Sequence, residues 1–373
     1  MITPLLFVMV VAQSPQDTLL TALQARLDGY RAANSFPGAV LGVAFPDGRV
    51  LSLATGFADT ARGVAMRPDD RLLMGSVGKT YVAATALQLV SEGRLALDAP
   101  ASRYVGGQGW FDSLPNAAGI TVRHLMNHTS GLVRYEFRPE FTRALSEQPD
   151  KAWDPREQVR YLHGTTAAFA PGEGWDYSDT NYLVLALVLE AITGVPIDDE
   201  IARRFLRPHQ LTATIPSDSR RLDGVVQGYA GVNNPFGGQD AMWRDGVMII
   251  NPQFEGAGGG YAASAGDAAR WGALYFSGRL VGESGLAEAV RGVAAPMLGA
   301  GTRYGLGMIL RDSTAAGPVR SHSGFFPGYV TELRHYPARG ITVAMMVNAS
   351  NVRLRPAMAR WIDEMVAAIP AGS

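Results

Sequence analysis

The chain has 373 residues, 47% of them hydrophobic and 18% charged, enough apolar material for one large packed core or two domains. Its 33 basic and 34 acidic residues leave a formal charge of −1, which removes the electrostatic ground for a nucleic-acid partner. The absence of cysteine excludes disulfide scaffolds, thiolate zinc sites and thiol nucleophiles.

In chain order, residues 5–12 (LLFVMVVA) come first. This apolar run is far short of the ~20 residues that span a bilayer. Its length and its small-residue end at Val10-Val11-Ala12 suit an export signal, although no Lys or Arg precedes Arg26. Residues 1–12 are therefore read as a signal remnant of a periplasmic or secreted protein. A buried terminal strand or helix start, with a cytoplasmic location, is the other reading. Residues 37–59 hold two β-rich runs around Pro46-Asp47-Gly48, a hairpin pattern. After Met74 the spacing turns helical and stops at Gly93. Segments 121–127, 155–163, 180–193 and 197–205 are helix candidates separated by Pro and Gly clusters. The apolar stretch 182–189 reads as a buried helix, with no segment long enough for a membrane span.

Gly258-Gly259-Gly260 precedes a helix over 265–276. Strands are expected at 304–310, 329–336 and 341–347, and a last helix at 355–368. Strands at both ends around a helical middle predict an α+β protein: a sheet domain from 13–98 and 245–373, and a mostly helical insertion at 99–244.

Three short motifs carry chemistry. Ser76 and Lys79 lie three apart at a helix start, on one face. A lysine amine in a partly dry site can take a serine proton, and Ser76's own N–H, free of an intrahelical partner, can stabilise an oxyanion. With 20 serines and only two lysines, Lys79 and Lys151, chance gives 20 × 2/373, roughly 0.1 such pairs. An N-capping serine beside a surface lysine has the same spacing. Tyr177-Ser178-Asp179 is the second motif; a phenol can shuttle a proton if an ammonium is near, or can simply pack at the mouth of the next helix. The third is His322-Ser323-Gly324, where the small glycine lets a substrate lie against a strand edge.

Together, in this order and 101 and 145 residues apart, these motifs resemble those of the serine β-lactamase and penicillin-binding-protein superfamily. The likeness is to the branch of class C β-lactamases and D-Ala-D-Ala carboxypeptidases. The stretches 75–105, 121–132 (TVRHLMNHTSGL), 171–182 (PGEGWDYSDTNY) and 258–271 resemble it too, so the likeness runs from about 25 to 365. It implies an antiparallel sheet flanked by helices plus an all-helical region, with the active site in the cleft between them. It also implies a cofactor-free serine hydrolase acting through an acyl-enzyme. Ser76 would be the nucleophile. Lys79 would accept its proton or tune Tyr177, and Tyr177 would protonate the leaving group. His322, Ser323 and Gly324 would line the substrate, and the N–H groups of Ser76 and Phe325 would form the oxyanion hole.

Asp179 departs from that pattern, which usually has asparagine there. An amide can donate to a substrate carbonyl; a carboxylate only accepts, and it would hold Lys79 protonated. Asp179 is read either as a substrate-binding group favouring an N–H or amine, or as the N-cap of the helix beginning at Thr180. His322, where many relatives have lysine, resembles the carboxypeptidase and D-aminopeptidase members. The substrates implied are D-amino-acid peptides or β-lactams. Carboxylic esters, D-aminopeptidase substrates, and slow deacylation as a penicillin-binding protein are the alternatives. His124 and His128 have zinc-ligand spacing, but HLMNH lacks the glutamate of a metalloprotease helix and offers no third ligand. No metal is expected, and the partner is a small molecule or peptide. Asp98, Arg203-Arg204 and Arg220-Arg221 read as loop and solvated surface.

Overall fold

The computed structural model describes residues 15–231, 240–350 and 354–370. The reading of residues 1–12 as a signal lies outside them. Nine strands form one antiparallel sheet. They are β1 (Gly38–Ala44), β2 (Val50–Asp59), β3 (Val64–Ala65), β4 (Val293–Ala294), β5 (Arg303–Tyr304), β6 (Ile309–Arg311), β7 (Val319–Phe326), β8 (Tyr329–Tyr336) and β9 (Ile341–Val347). Their order is β3-β2-β1-β9-β8-β7-β6-β5-β4, so the N-terminal hairpin and the C-terminal meander join where β1 pairs with β9.

The central strands are apolar at consecutive positions because both faces of the sheet are covered. Leu41, Val43, Val343 and Met345 pack on one face with α1 (Pro15–Asn34) and α6 (Leu354–Ala368). Val40, Ala44, Ala344 and Met346 pack on the other, in the core shared with the helical region. There α5 (Ala265–Phe276) lies against β1 so closely that a Cβ at Gly42 would sit 2.0 Å from the Ala265 carbonyl oxygen.

The helical region is built around α4 (Thr180–Thr193), whose residues 180–189 are all buried. A helix apolar all round must be a core helix. Gly194 ends it in the left-handed conformation, φ 78. With it pack α2 (Lys79–Ser91) and α3 (Val122–Asn127). Among the described residues, no single helix is long and apolar enough to cross a membrane.

Several expected elements change on folding. The single strand over 304–310 is two short strands, because Gly307 takes φ 72 and a Cβ there would lie 2.3 Å from that of Ala83 on α2. The helix over 155–163 relaxes into a 3-10 turn at Arg160–Leu162, and that over 197–205 widens to a π-turn at Ala202–Leu206. The long helix α1 was not anticipated, and β7 was anticipated only as a strand edge at His322-Ser323-Gly324. In β7 the serines and glycine mask the strand pattern, which only pairing with β8 reveals. Arg204 is buried rather than solvated, between Glu200 and Glu92.

Candidate active site

Ser76 lies in a 3-10 turn, Gly75–Gly78, from which α2 continues at Lys79. Glycines seat this turn. Gly75 takes φ 51, and a Cβ there would be 2.5 Å from the Phe325 carbonyl oxygen. A Cβ at Gly324 would be 1.8 Å from the Met74 carbonyl oxygen, and one at Gly259 would be 2.7 Å from the Gly75 carbonyl carbon. Backbone therefore meets backbone on both sides, setting Ser76 between β7 and the Gly258-Gly259-Gly260 segment. Its N–H, at the start of the turn, lacks an intrahelical acceptor. The Phe325 N–H faces the same place, 2.6 Å from where a Gly75 Cβ would be.

Lys79 is fully buried, and its ammonium donates to three acceptors: Ser76 Oγ at 3.1 Å, Asp179 Oδ1 and the Gly258 carbonyl. An ammonium has three protons, so its donors are all engaged. Burial is the largest single influence and pulls the Lys79 pKa down, but Asp179 and Tyr177 together outweigh it and hold Lys79 above the ordinary lysine value. Tyr177 stacks its ring under this ammonium, 4.9 Å from Nζ. Its hydroxyl is buried and makes no well-formed hydrogen bond, yet Ser76 and Lys79 are close enough to draw its pKa down. Burial is the larger effect, and the phenol stays above its usual range.

Asp179 occupies the N-cap position of α4 but makes no capping hydrogen bond, so the capping reading fails. Its carboxylate instead binds Lys79 through Oδ1 and Arg134 Nη2, at 2.8 Å, through Oδ2. Burial opposes its ionisation, but these two cations hold its pKa well below the carboxylate range. Arg134 also donates from Nε to Glu136 Oε1 at 2.5 Å. Glu136 is pushed well up, by burial first and the Asp179 charge second. Its Oε2 is buried with no well-formed hydrogen bond.

His322 is 1% exposed and has both ring nitrogens engaged. Its Nδ1 is 2.8 Å from the Ser323 carbonyl, which can only accept, so the proton is on Nδ1. Nε2 then accepts from the Tyr304 hydroxyl at 2.9 Å. Burial and the Lys79 charge depress the pKa to about 3. His322 borders the cavity as a neutral group with both ring nitrogens engaged within the protein. Ser323 Oγ accepts from Arg355 Nη2 at 2.7 Å.

Ser76, Arg134, Glu136, Tyr177, Asp179, His322 and Ser323 line a cavity of ≈ 400 Å³, with Phe137, Trp175, Phe254, Met297 and Leu298 as its apolar wall. Sequence reading missed Arg134, Glu136, Glu255 and Tyr304, which no local motif marks. His128, weighed there as a zinc ligand, is buried against the Tyr177 ring at 4.3 Å. Its Nδ1 accepts from the Ser178 N–H at 3.3 Å. His124 belongs elsewhere, closing a capping box with Thr121.

A serine hydroxyl, a charged lysine and a buried tyrosine meet beside an antiparallel sheet, at the edge of a helical region. That arrangement is the β-lactamase/transpeptidase-like fold with its site in the cleft. Residues 23–367 match the Beta-lactamase family model, and the chain belongs to that family. It is 27% identical over 341 residues to Penicillin-binding protein 4 of Amycolatopsis lactamdurans, covering 87% of this chain and 84% of that one. It is 29% identical over 343 residues to Esterase EstB of Burkholderia gladioli, covering 82% and 84%. A D-stereospecific amidohydrolase from Streptomyces sp. superposes with a TM-score of 0.78 at 26% identity, over 94% of this chain and 99% of that one.

Proposed function

We propose that the protein is a serine hydrolase that forms an acyl-enzyme on Ser76 and acts on amide bonds of D-amino-acid peptides or β-lactams. The observation that carries this is the meeting of Lys79 with Ser76 and Tyr177, the latter two on the cavity wall. Because Lys79 is already an ammonium with its donors filled, Tyr177 is the proton relay. As Ser76 Oγ attacks the acyl carbon, its proton passes to Tyr177 Oη. The phenolic proton passes in the same step to the departing nitrogen or oxygen. Tyr177 ends neutral, and the Lys79 charge beside its ring stabilises the developing phenolate. The Ser76 and Phe325 N–H groups receive the oxyanion; losing one such donor typically costs ~10²–10³ in rate. In deacylation the relay reverses: a water proton goes to Tyr177, whose own proton returns to Ser76 Oγ.

The buried, neutral His322 favours a second reading, carboxylic ester hydrolysis, since no side chain of the His322-Ser323-Gly324 motif itself carries a charge for an anionic leaving group, the cation beside it, Arg355, being bound to Ser323 Oγ. Export through residues 1–12 fits substrates of the cell wall and belongs to the first reading. The test is intact-protein mass after brief exposure to a penicillin, with Ser76→Ala in parallel. One adduct on the wild type alone supports the acyl-enzyme. Its lifetime separates a turning-over hydrolase from a slow penicillin-binding protein. With neither adduct nor penicillin loss, rapid cleavage of 4-nitrophenyl esters by wild type and not by Ser76→Ala selects the esterase reading. No Ser76-dependent reaction with either substrate overturns both.

A further inference from the structure

Asp179 stands where a substrate-facing amide donor is expected, and its two oxygens are taken by Lys79 and Arg134. It has nothing to donate. Arg134 does. Of its five N–H groups, Nε–H goes to Glu136 and one Nη2–H to Asp179. The other three have no acceptor among the described residues. The guanidinium lines the cavity, with the side chain 32% exposed. It is fixed on its faces as well as its edge, 4.3 Å from the Phe137 ring centre and 5.6 Å from that of Tyr177. A donor held by the Asp179 carboxylate, the Glu136 carboxyl and two aromatic rings loses little entropy on binding a ligand.

We propose that Arg134, held by Asp179 and Glu136, is the substrate-binding donor of this site and receives the carbonyl oxygen of an acylamino group on the acyl side of the scissile bond. This rests on the acyl-enzyme reading above and names the substrate class within it. A carbonyl suits the place better than a carboxylate, because a substrate anion at this guanidinium would face the Asp179 carboxylate that already pairs with it. The acyl group is anchored beside Tyr177, next to the attacking serine. Asp179 and Arg134 together thus do the work of one amide: the carboxylate fixes the cation, and the cation donates.

The test is calorimetric binding to the Ser76→Ala protein of N-acetyl-D-alaninamide, and of butyramide, which lacks the acylamino carbonyl. Arg134→Ala is expected to weaken the first about 10–100-fold, the loss of one charge-assisted hydrogen bond, and to leave the second within about threefold. Arg134→Lys keeps the charge without the fork and is expected to retain the melting temperature while losing most of the preference. In the Asp179→Asn background, where an amide donor is restored, removing Arg134 is expected to cost little. Equal weakening of both ligands, or no change in either, overturns the proposal. Binding is read without turnover, so a Ser76→Ala protein that still hydrolyses substrate would sink the acyl-enzyme reading while Arg134 is still judged.

Discussion

Gly324→Ala tests how the sheet holds the nucleophile. The new Cβ would lie 1.8 Å from the Met74 carbonyl oxygen, about 1.5 Å inside the ~3.3 Å of a close C···O contact. Met74 cannot yield easily, since its N–H is bonded to the Tyr261 carbonyl at 2.8 Å. Nor can β7, which is paired along its length with β8. The strand and the Ser76 turn must therefore separate by an ångström or more. That moves the Phe325 N–H away from Ser76, and misplacement by ~1 Å costs ~10²-fold in rate. Overpacking of this kind also removes about 1–3 kcal/mol of stability. The assay is kcat/KM for a 4-nitrophenyl ester, with urea unfolding on the same samples. Gly29→Ala in α1, where a Cβ meets nothing within 4 Å, is the control and is expected to be neutral or slightly stabilising. A Gly324→Ala protein within about threefold of wild-type activity would refute the claim that this contact positions the oxyanion hole.

Further expectations follow from buried charges. The Glu255 carboxyl borders the cavity and is raised to about 8 by burial and the Asp179 charge. With its folded pKa above its unfolded one, its contribution to stability is full below pH ~4.5 and is lost as pH rises through about 8. Glu255→Gln should therefore gain on wild type in urea melts between pH 5 and 9, by at most about 5 kcal/mol; parallel curves would contradict the assignment. Asp179→Asn removes the carboxylate that holds Lys79 up, so burial should prevail and the alkaline limb of kcat/KM should move to lower pH; an unmoved limb would count against Lys79 as the charge beside Tyr177. Asp363 accepts from Arg334 Nη2 at 2.8 and 3.0 Å and from the Tyr336 hydroxyl at 2.6 Å, tying α6 to β8. Asp363→Asn is expected to cost about 3–5 kcal/mol, since it leaves the Arg334 charge buried. A melting temperature unchanged within a degree would show that the pair is dispensable.

Local order was legible in the chain. The Pro46-Asp47-Gly48 hairpin, the all-apolar helix α4 and the meander strands β8 and β9 follow from periodicity and turn residues, which act over a few positions. Ser76, Lys79 and Tyr177 could be singled out because serine beside a rare lysine is an unusual pairing and the three motifs keep a family order. What depends on pairs far apart in sequence was not legible. Asp179 satisfies every sequence rule for an N-cap, yet Lys79, 100 residues away, and Arg134, 45 away, claim both its oxygens; in a dry site two cations outbid a backbone N–H. The sequence left the charge of His322 open; folding placed Tyr304 and the Ser323 carbonyl on its two nitrogens, and burial favours the neutral ring. Sequence alone determined which groups could do the chemistry. Their protonation states, and the arrival beside them of Arg134, which no motif marks, were decided by the tertiary structure, because desolvation and charge pairing exist only once distant segments enclose the same cavity.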